Sequence, residues 1–306
     1  MRKKLALAID LGATNLRVAL VSQNGEILEK IEEKTEKRGE EGKVVTSQIL
    51  RLAQKFLKKN KVIGIGISSI GPLDLKKGEV INSPNIPFKK IEVVLPLKKA
   101  FGLKTILLND CSAAVWGEKH FGAGKKIDNL VYITISSGIG GGAIVDGHLL
   151  IGHSGNAVEI GHMNIKTEYE LKCGCQRKNH WEGYASGTNL PKFFKIWAKK
   201  EKIKTKLPKE AKEIFERARN KDKIALKFLK VLSEINARAI SNVIVAFAPQ
   251  LITLGGAVVL NNQDLILKPI IERVENYLPV PKIIITPLKE NICLLGAAAL
   301  VFWPPF

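Results

Sequence analysis

Cysteine is scarce in this chain of 306 residues: four, at positions 111, 173, 175 and 293. So few exclude a disulfide-stapled scaffold and suit a reducing, cytoplasmic setting. Long apolar runs are missing too; no uninterrupted stretch approaches the roughly 20 residues of a membrane span. The start Met1-Arg-Lys-Lys4 resembles the basic end of a secretion signal, but Asp10 interrupts the apolar run after five residues, so no signal is expected. Gly and Pro are not enriched enough for a fibre or a disordered tail. A chain of this length is expected to bury a large core and to divide into two domains.

Acidic residues are short relative to basic ones, 29 against 48, giving a formal charge of +19. About half of the excess falls within 192–230, where fifteen Lys/Arg face five Asp/Glu. Leu207, Ala211, Ile214, Phe215 and Ala218 recur there at helical spacing, so these charges belong to the solvated face of amphipathic helix. A basic stripe can hold phosphate backbones without sequence preference. A Lys-rich surface adapted to heat, which also draws anionic substrates, accounts for the same charges, and sparse methionine and short loops favour it. No specific nucleic-acid partner and no membrane partner are expected.

The hydrophobic pattern predicts strands at 5–11, 17–21 and 27–31, the last after the Asn24-Gly25 turn. It then predicts a helix over 44–57, a strand at 62–67, a helix over 93–101, a strand at 105–108 and a helix from Cys111. Strands at 130–135 and 143–145 flank a Gly-rich turn. Helices follow at 190–198, 210–219 and 223–248, a strand at 251–254, a helix at 265–277, a strand at 282–286 and an apolar helix at 293–302, stopped by Pro304 and Pro305. Strands and helices alternate, and an antiparallel hairpin opens each half. This repetition predicts two related α/β units with a cleft between them: a smaller one of 1–108 with 291–306, and a larger one of 109–290.

Two cysteines and two histidines crowd into one short stretch, as Glu159-Ile-Gly-His162 and Cys173-Gly-Cys175-Gln-Arg-Lys-Asn-His180-Trp-Glu182. Thiolate and imidazole in a set of four match tetrahedral zinc, with His162, Cys173, Cys175 and His180 as ligands. Carboxylates interleave with them, so a metal there would shape a site as well as a fold. Cys111 and Cys293 lie in apolar or helical contexts and read as packing residues.

Three segments suit phosphate. In Asp10-Leu-Gly12-Ala-Thr14-Asn15-Leu-Arg17, Gly12 lets backbone approach an anion and Thr14 adds a hydroxyl. Asp10 could position a magnesium-bound water, and Arg17 could meet phosphate or pair with Asp10. Thr134-Ile-Ser-Ser137-Gly138-Ile-Gly140-Gly-Gly142 repeats the theme at the second hairpin, where exposed N–H groups would form an anion nest. Gly255-Gly256 ends a strand where a helix begins. Each alone is an ordinary tight turn. Together, at strand ends in both halves, they predict a nucleotide site that is not a Walker P-loop, since no Gly-Lys-Ser/Thr follows.

From Leu5 to the final helix the chain resembles sugar kinases of the ROK family. Asp10 to Arg17 and Thr134 to Gly142 resemble its two phosphate motifs, and Glu159 to His162 its Glu-x-Gly-His motif. Cys173 to Glu182 matches the family's Cys-Gly-Cys-Gly-x-x-Gly-Cys-x-Glu loop in part: Gln176 and Asn179 replace glycines and His180 replaces a cysteine. The resemblance implies an α/β, ribonuclease H-like fold of the sugar kinase, Hsp70 and actin superfamily, with ATP in the interdomain cleft. It implies Asp110, in Asn109-Asp110-Cys111, as general base for a sugar hydroxyl attacking the γ-phosphoryl. Read from the residues alone, Asp110 could instead cap the following helix. It further implies Asn85, Asn109, Glu159, His162 and Glu182 as groups holding sugar hydroxyls, a structural Zn²⁺ whose ligand His162 also faces the sugar, and Mg²⁺ on the ATP phosphates.

The expected activity is that of an ATP-dependent hexokinase, acting at the 6-hydroxyl of glucose or a related hexose. N-acetylglucosamine or N-acetylmannosamine is the rival substrate, and Phe88-Lys89, standing where the family often has Gly-Trp, leaves the pocket open to change. The family also contains sugar-responsive repressors carrying an N-terminal winged helix; with the first phosphate strand at residue 5, no room for one is expected here. A dimer or tetramer is implied by the resemblance.

Overall fold

The computed structural model describes residues 4–39 and 41–306. The chain opens with β1 (Leu5–Leu11), β2 (Asn15–Ser22) and β3 (Ile27–Lys34), an antiparallel meander. There follow α1 (Lys43–Leu57), β4 (Ile65–Ser69), the short strands β5 (Leu73–Asp74), β6 (Glu79–Ile81) and β7 (Lys90–Glu92), then α2 (Val94–Phe101), β8 (Thr105–Asn109) and α3 (Asp110–His120). A second hairpin is formed by β9 (Leu130–Ile135) and β10 (Ile139–Val145), followed by β11 (His148–Leu149). Helices α4 (Trp181–Ala185), α5 (Leu190–Lys200), α6 (Ala211–Arg219) and α7 (Lys223–Phe247) lead to β12 (Leu251–Gly255), α8 (Ala257–Leu260), α9 (Gln263–Ile271), β13 (Lys282–Ile285) and α10 (Ile292–Phe302). No helix among the described residues is long and apolar enough to cross a membrane.

The chain separates into two compact units: Met1–Asp128 with Gly142–Ala157 and Asn291–Phe306, and Asn129–Gly141 with Val158–Glu290. In the first, the sheet order is β3-β2-β1-β4-β8, with β1, β4 and β8 parallel. The buried run of β1 reflects cover on both faces. One cover is α10, apolar on all sides and therefore enclosed on all sides. It lies unusually close to its neighbours: a Cβ added to Gly66 of β4 would fall 1.8 Å from the Ala297 carbonyl oxygen, and one on Gly296 2.0 Å from that of Ala113.

In the second unit β9, β12 and β13 run parallel. An aromatic core of Tyr184, Phe193, Phe194, Trp197 and Phe228 fills the space under α4, α5 and α7. The 25-residue α7 begins at Asp222, whose carboxylate accepts from the Ile224 and Ala225 amides.

Several boundaries differ from the sequence expectation. The helix expected over 265–277 stops at Ile271, because burial on its inner face ends at Ile270 and Tyr277 is 82% exposed. The strand expected from 62 begins at Ile65, since Ile63 is half exposed outside the sheet. The Gly-rich turn is shorter than its glycines suggest: β10 begins at Ile139, and Gly140 to Gly142 are strand residues. A Cβ on Gly141 would meet Ile160 Cδ1 at 2.6 Å, and one on Gly142 the Cys111 carbonyl oxygen at 2.2 Å. These glycines serve close packing.

Candidate active site

Parallel strands deliver their C-terminal ends, and the side chains they carry, to one edge of a sheet. In the first unit that edge gathers Asp10 (β1), Ser68 (β4) and Asn109 (β8), with Asp10 opposite Ser68 in register. Asp10 is almost fully buried and takes the Nε of Arg17 at 2.9 Å, with Nη2 on the same oxygen. Of the two roles open to Arg17, the structure forms the ion pair. Burial pushes the Asp10 carboxyl above its ordinary value while Arg17 pulls it back.

The turn after β1 is closed by the Gly12 amide on the Asn15 carbonyl at 3.0 Å, and Thr35 Oγ1 donates to the Gly12 carbonyl at 2.7 Å. Thr14 is exposed at its tip. The Asn15 side chain accepts from Lys34 Nζ at 2.9 Å, which occupies its carbonyl oxygen.

Asp110 is half-buried at the first position of α3, where the helix dipole favours a carboxylate. The capping role belongs to Asn109, whose Oδ1 accepts from the Cys111 amide at 2.9 Å; Asp110 Oδ1 lies 2.8 Å from that same amide. Gly71 opens toward Asn109 Nδ2 and Asn156 Oδ1, which a Cβ there would meet at 3.3 and 3.6 Å. Asn156 escaped sequence reading: it belongs to Gly142–Ala157, which returns to the first unit, and its only signal is its place three residues before Glu159. Asn85 stands exposed in the loop between β6 and β7. Cys293, on the first turn of α10, lies in the electrostatic reach of Asp10, Asp110 and Arg17; burial and the two carboxylates hold its thiol well above the ordinary range. It is a packing thiol, as read, but packed against the charged cluster.

In the second unit the ends of β9 and β12 bring Thr134 opposite Gly255. Gly256 has φ 86°, and a Cβ there would lie 2.6 Å from Thr134 Oγ1, so the two predicted phosphate segments meet. Ser137 is exposed at the tip of the turn that the Ser136 amide closes onto the Gly138 carbonyl at 2.8 Å. Gly140 sits within β10, beyond that turn.

The four metal-ligand candidates also converge: single atoms of His162, Cys173, Cys175 and His180 lie within 4.8 Å of one another. The two Nδ1 atoms are 3.2 Å apart, Cys173 Sγ is 3.8 Å from His162 Nδ1, and Cys175 Sγ 3.2 Å from His180 Nδ1. Bonds of about 2.0 Å to nitrogen and 2.3 Å to sulfur put tetrahedral zinc ligands about 3.3–3.8 Å apart. The donor set therefore fits zinc. Both imidazoles approach the cluster through Nδ1. Burial pushes the Cys173 thiol up to about 12 and lowers the His180 imidazole. Gln176 and Asn179 adopt φ 69° and 65°, so the loop retains a glycine-type backbone where the glycines are replaced. Desolvation of part of the Glu159 side chain raises its carboxyl, against the pull of His162. Glu182 accepts from the Ile139 amide at 2.9 Å through Oε2, and its Oε1 lies 3.3 Å from Cys173 Sγ.

A meander followed by parallel strands, repeated, with acidic and glycine-rich strand ends, defines a two-unit α/β protein. The sequence pattern of the ROK family matches residues 6–302. The chain belongs to that family. A glucokinase of Pyrobaculum calidifontis is 36% identical over 301 residues, covering 98% of this chain and 95% of its own. Two solved structures align over 97% of this chain and 98% of theirs: a ROK family glucokinase from Streptomyces griseus in complex with glucose and AMPPNP (27% identity, TM-score 0.78), and a ROK hexokinase from Thermus thermophilus (26%, 0.82). The fold is that of the sugar kinase, Hsp70 and actin superfamily.

Proposed function

We propose that this protein is an ATP-dependent hexokinase that transfers the γ-phosphoryl group of ATP to glucose, at the 6-hydroxyl, with Asp110 as general base. The observation that carries the reading is Asp110 itself: a half-buried carboxylate at a strand end and helix start, in a chain 36% identical to a glucokinase. A carboxylate so held can accept the hydroxyl proton as the oxygen attacks phosphorus. Asn109 fixes the backbone that aims it. Asn85, Asn109, Glu159, His162 and Glu182 would hold the remaining hydroxyls; Asn156, beside Asn109, joins the candidates. Thr14 and the turns at Gly12, Thr134–Gly138 and Gly255-Gly256 would take the nucleotide phosphates, with Asp10, Asn15 and Arg17 shaping the first of them.

Mg²⁺, when bound, would neutralise charge developing on the nucleotide phosphates, and Asp10 would be the residue to hold its water. Structural Zn²⁺ would sit on His162, Cys173, Cys175 and His180 and fix the loop that carries His162 and Glu182. Four free cysteines support a cytoplasmic setting, and the family supports a dimer or tetramer. N-acetylglucosamine and N-acetylmannosamine remain the rival substrates, although Phe88 packs into the hydrophobic core of the first unit.

The test is ATP consumption, with Mg²⁺, against glucose, mannose, fructose, glucosamine, N-acetylglucosamine and N-acetylmannosamine. Turnover highest on glucose is expected. Turnover confined to an N-acetylated sugar would replace the substrate, and none on any sugar by folded, zinc-loaded protein would remove the kinase reading.

A further inference from the structure

Glu182 has a second task that its neighbours reveal. It is carried by α4, whose flanking residue His180 is a metal-ligand candidate. That helix is firmly seated: Trp181 is fully buried and its Nε1 donates to Asn236 Oδ1 at 2.8 Å, while Asn189 Nδ2 donates to the Glu182 carbonyl at 3.2 Å. From this platform the Glu182 carboxylate spans two segments of the second unit. Oε1 meets the thiol of Cys173 at 3.3 Å, and Oε2 accepts the Ile139 amide at 2.9 Å. Ile139 closes the β9–β10 turn, and a Cβ on Gly138 would lie 2.6 Å from Oε2, so glycine at 138 is what admits the carboxylate. A side chain turned only toward a sugar would have no need to orient a backbone amide of this turn.

Resting on the reading of Thr134–Gly138 as a phosphate-binding turn, we infer that Glu182 is a positioning residue through which the metal loop sets that turn's affinity for nucleotide. Zinc on His180 and Cys173 would displace the thiol proton, end its donation to Oε1, and fix α4 and the loop from both sides of Glu182. The carboxylate then holds the Ile139 amide, and with it the orientation of the turn's remaining N–H donors. Coupling between two sites is reciprocal, so bound nucleotide holds zinc more tightly by the same factor.

The test uses the full chain, without sugar, and reads binding of a non-hydrolysable ATP analogue with Mg²⁺ by calorimetry. Zinc content is measured in parallel, and circular dichroism verifies the fold. Stripping zinc from the wild-type protein is expected to weaken the analogue at least about fivefold, the low end of ordinary coupling. Zinc-loaded Glu182→Ala should bind it as weakly as the stripped wild type and lose further sensitivity to zinc. Glu182→Gln keeps an acceptor for the Ile139 amide and should retain most of the affinity. Equal analogue affinity with and without zinc would overturn the inference. So would a Glu182→Ala protein that loses glucose affinity alone. Thr134→Val separates the underlying reading: if it weakens the analogue while zinc and Glu182 do not, only the coupling fails. If it leaves the analogue untouched, the phosphate-turn reading falls, and the inference with it.

Discussion

The two hairpin turns carry related glycine and hydroxyl chemistry but are braced differently. The turn after β1 is braced from within, by the buried Asp10–Arg17 pair seven residues apart on adjacent strands and by Thr35 on the Gly12 carbonyl. Among the described residues the turn after β9 has no such ion pair of its own. Its support from elsewhere in the chain comes from Glu182, 43 residues from Ile139 along the chain, and from the Gly187 amide on the Ser136 carbonyl at 2.7 Å. A turn braced by its own strands is formed as soon as the hairpin is. A turn braced by a distant loop inherits that loop's state, which makes it the one a metal can tune.

The largest expected effect leaves both turns intact. Asp110→Asn keeps the shape at the start of α3 and removes the proton acceptor, so kcat should fall by about 10²–10⁴ with glucose and nucleotide affinity little changed. Near-normal steady-state turnover would exclude Asp110 as the base.

Next come the braces. Arg17→Ala leaves Asp10 buried without its partner, a loss of about 3–5 kcal/mol for a broken buried pair, read by chemical denaturation at pH 7. The sign with pH is set by Asp10, whose folded-state value burial already raises. Losing Arg17 raises it further, so the variant's deficit should shrink as pH falls through the variant's raised folded-state value, where the buried Asp10 takes up a proton, toward that of the wild type. A deficit that grows on acidification would mean the pair is not what braces this turn. Cys175→Ala should leave the first turn untouched and abolish zinc retention, seen as loss of one metal equivalent with weaker nucleotide binding. Undiminished zinc would remove Cys175 from the ligand set.

Much of this contrast was legible before any coordinates. The meander of β1 to β3 announced itself through Asn24-Gly25 and flanking apolar runs, and α7 through sustained helical spacing. The convergence of the four metal-ligand candidates was legible because they lie within nineteen consecutive positions, so the loop has little freedom to separate them. What stayed hidden was non-local or short. The β5–β7 sheet is built from strands of two or three residues, too short for any period to register. Asn156 lies near Gly71, as Asn109 does, because a stretch at the end of and beyond β10 returns to the first unit. The bond from the Ile139 amide to Glu182 stayed hidden because a backbone amide leaves no mark in sequence to show which carboxylate it will choose. The glycines at 140–142 read as turn because composition does not distinguish a residue that needs left-handed backbone from one that needs room.

The smallest effects test how the metal loop tolerates losing two family glycines. Gln176 and Asn179 share a left-handed backbone, but of the two it is the Asn179 side chain that bonds a buried partner. Left-handed φ costs a side-chain-bearing residue about 1–2 kcal/mol, with Asn among the residues that bear it best. Asn179 accepts the hydroxyl of buried Tyr184 at 2.8 Å, and its amide donates to the Leu171 carbonyl at 2.9 Å. Gln176 is exposed, and its side chain reaches only the Gly174 carbonyl at 3.3 Å. Gln176→Gly removes strain and should stabilise the protein by about 0.5–1 kcal/mol, after glycine's greater freedom in the unfolded chain is subtracted. Asn179→Gly forfeits the Tyr184 bond and should destabilise by about 1 kcal/mol. Thermal melts of the two zinc-loaded variants decide it: opposite signs would place the loop's strain at Gln176, and equal signs would mean that backbone conformation alone, not the Tyr184 contact, sets the stability of the brace.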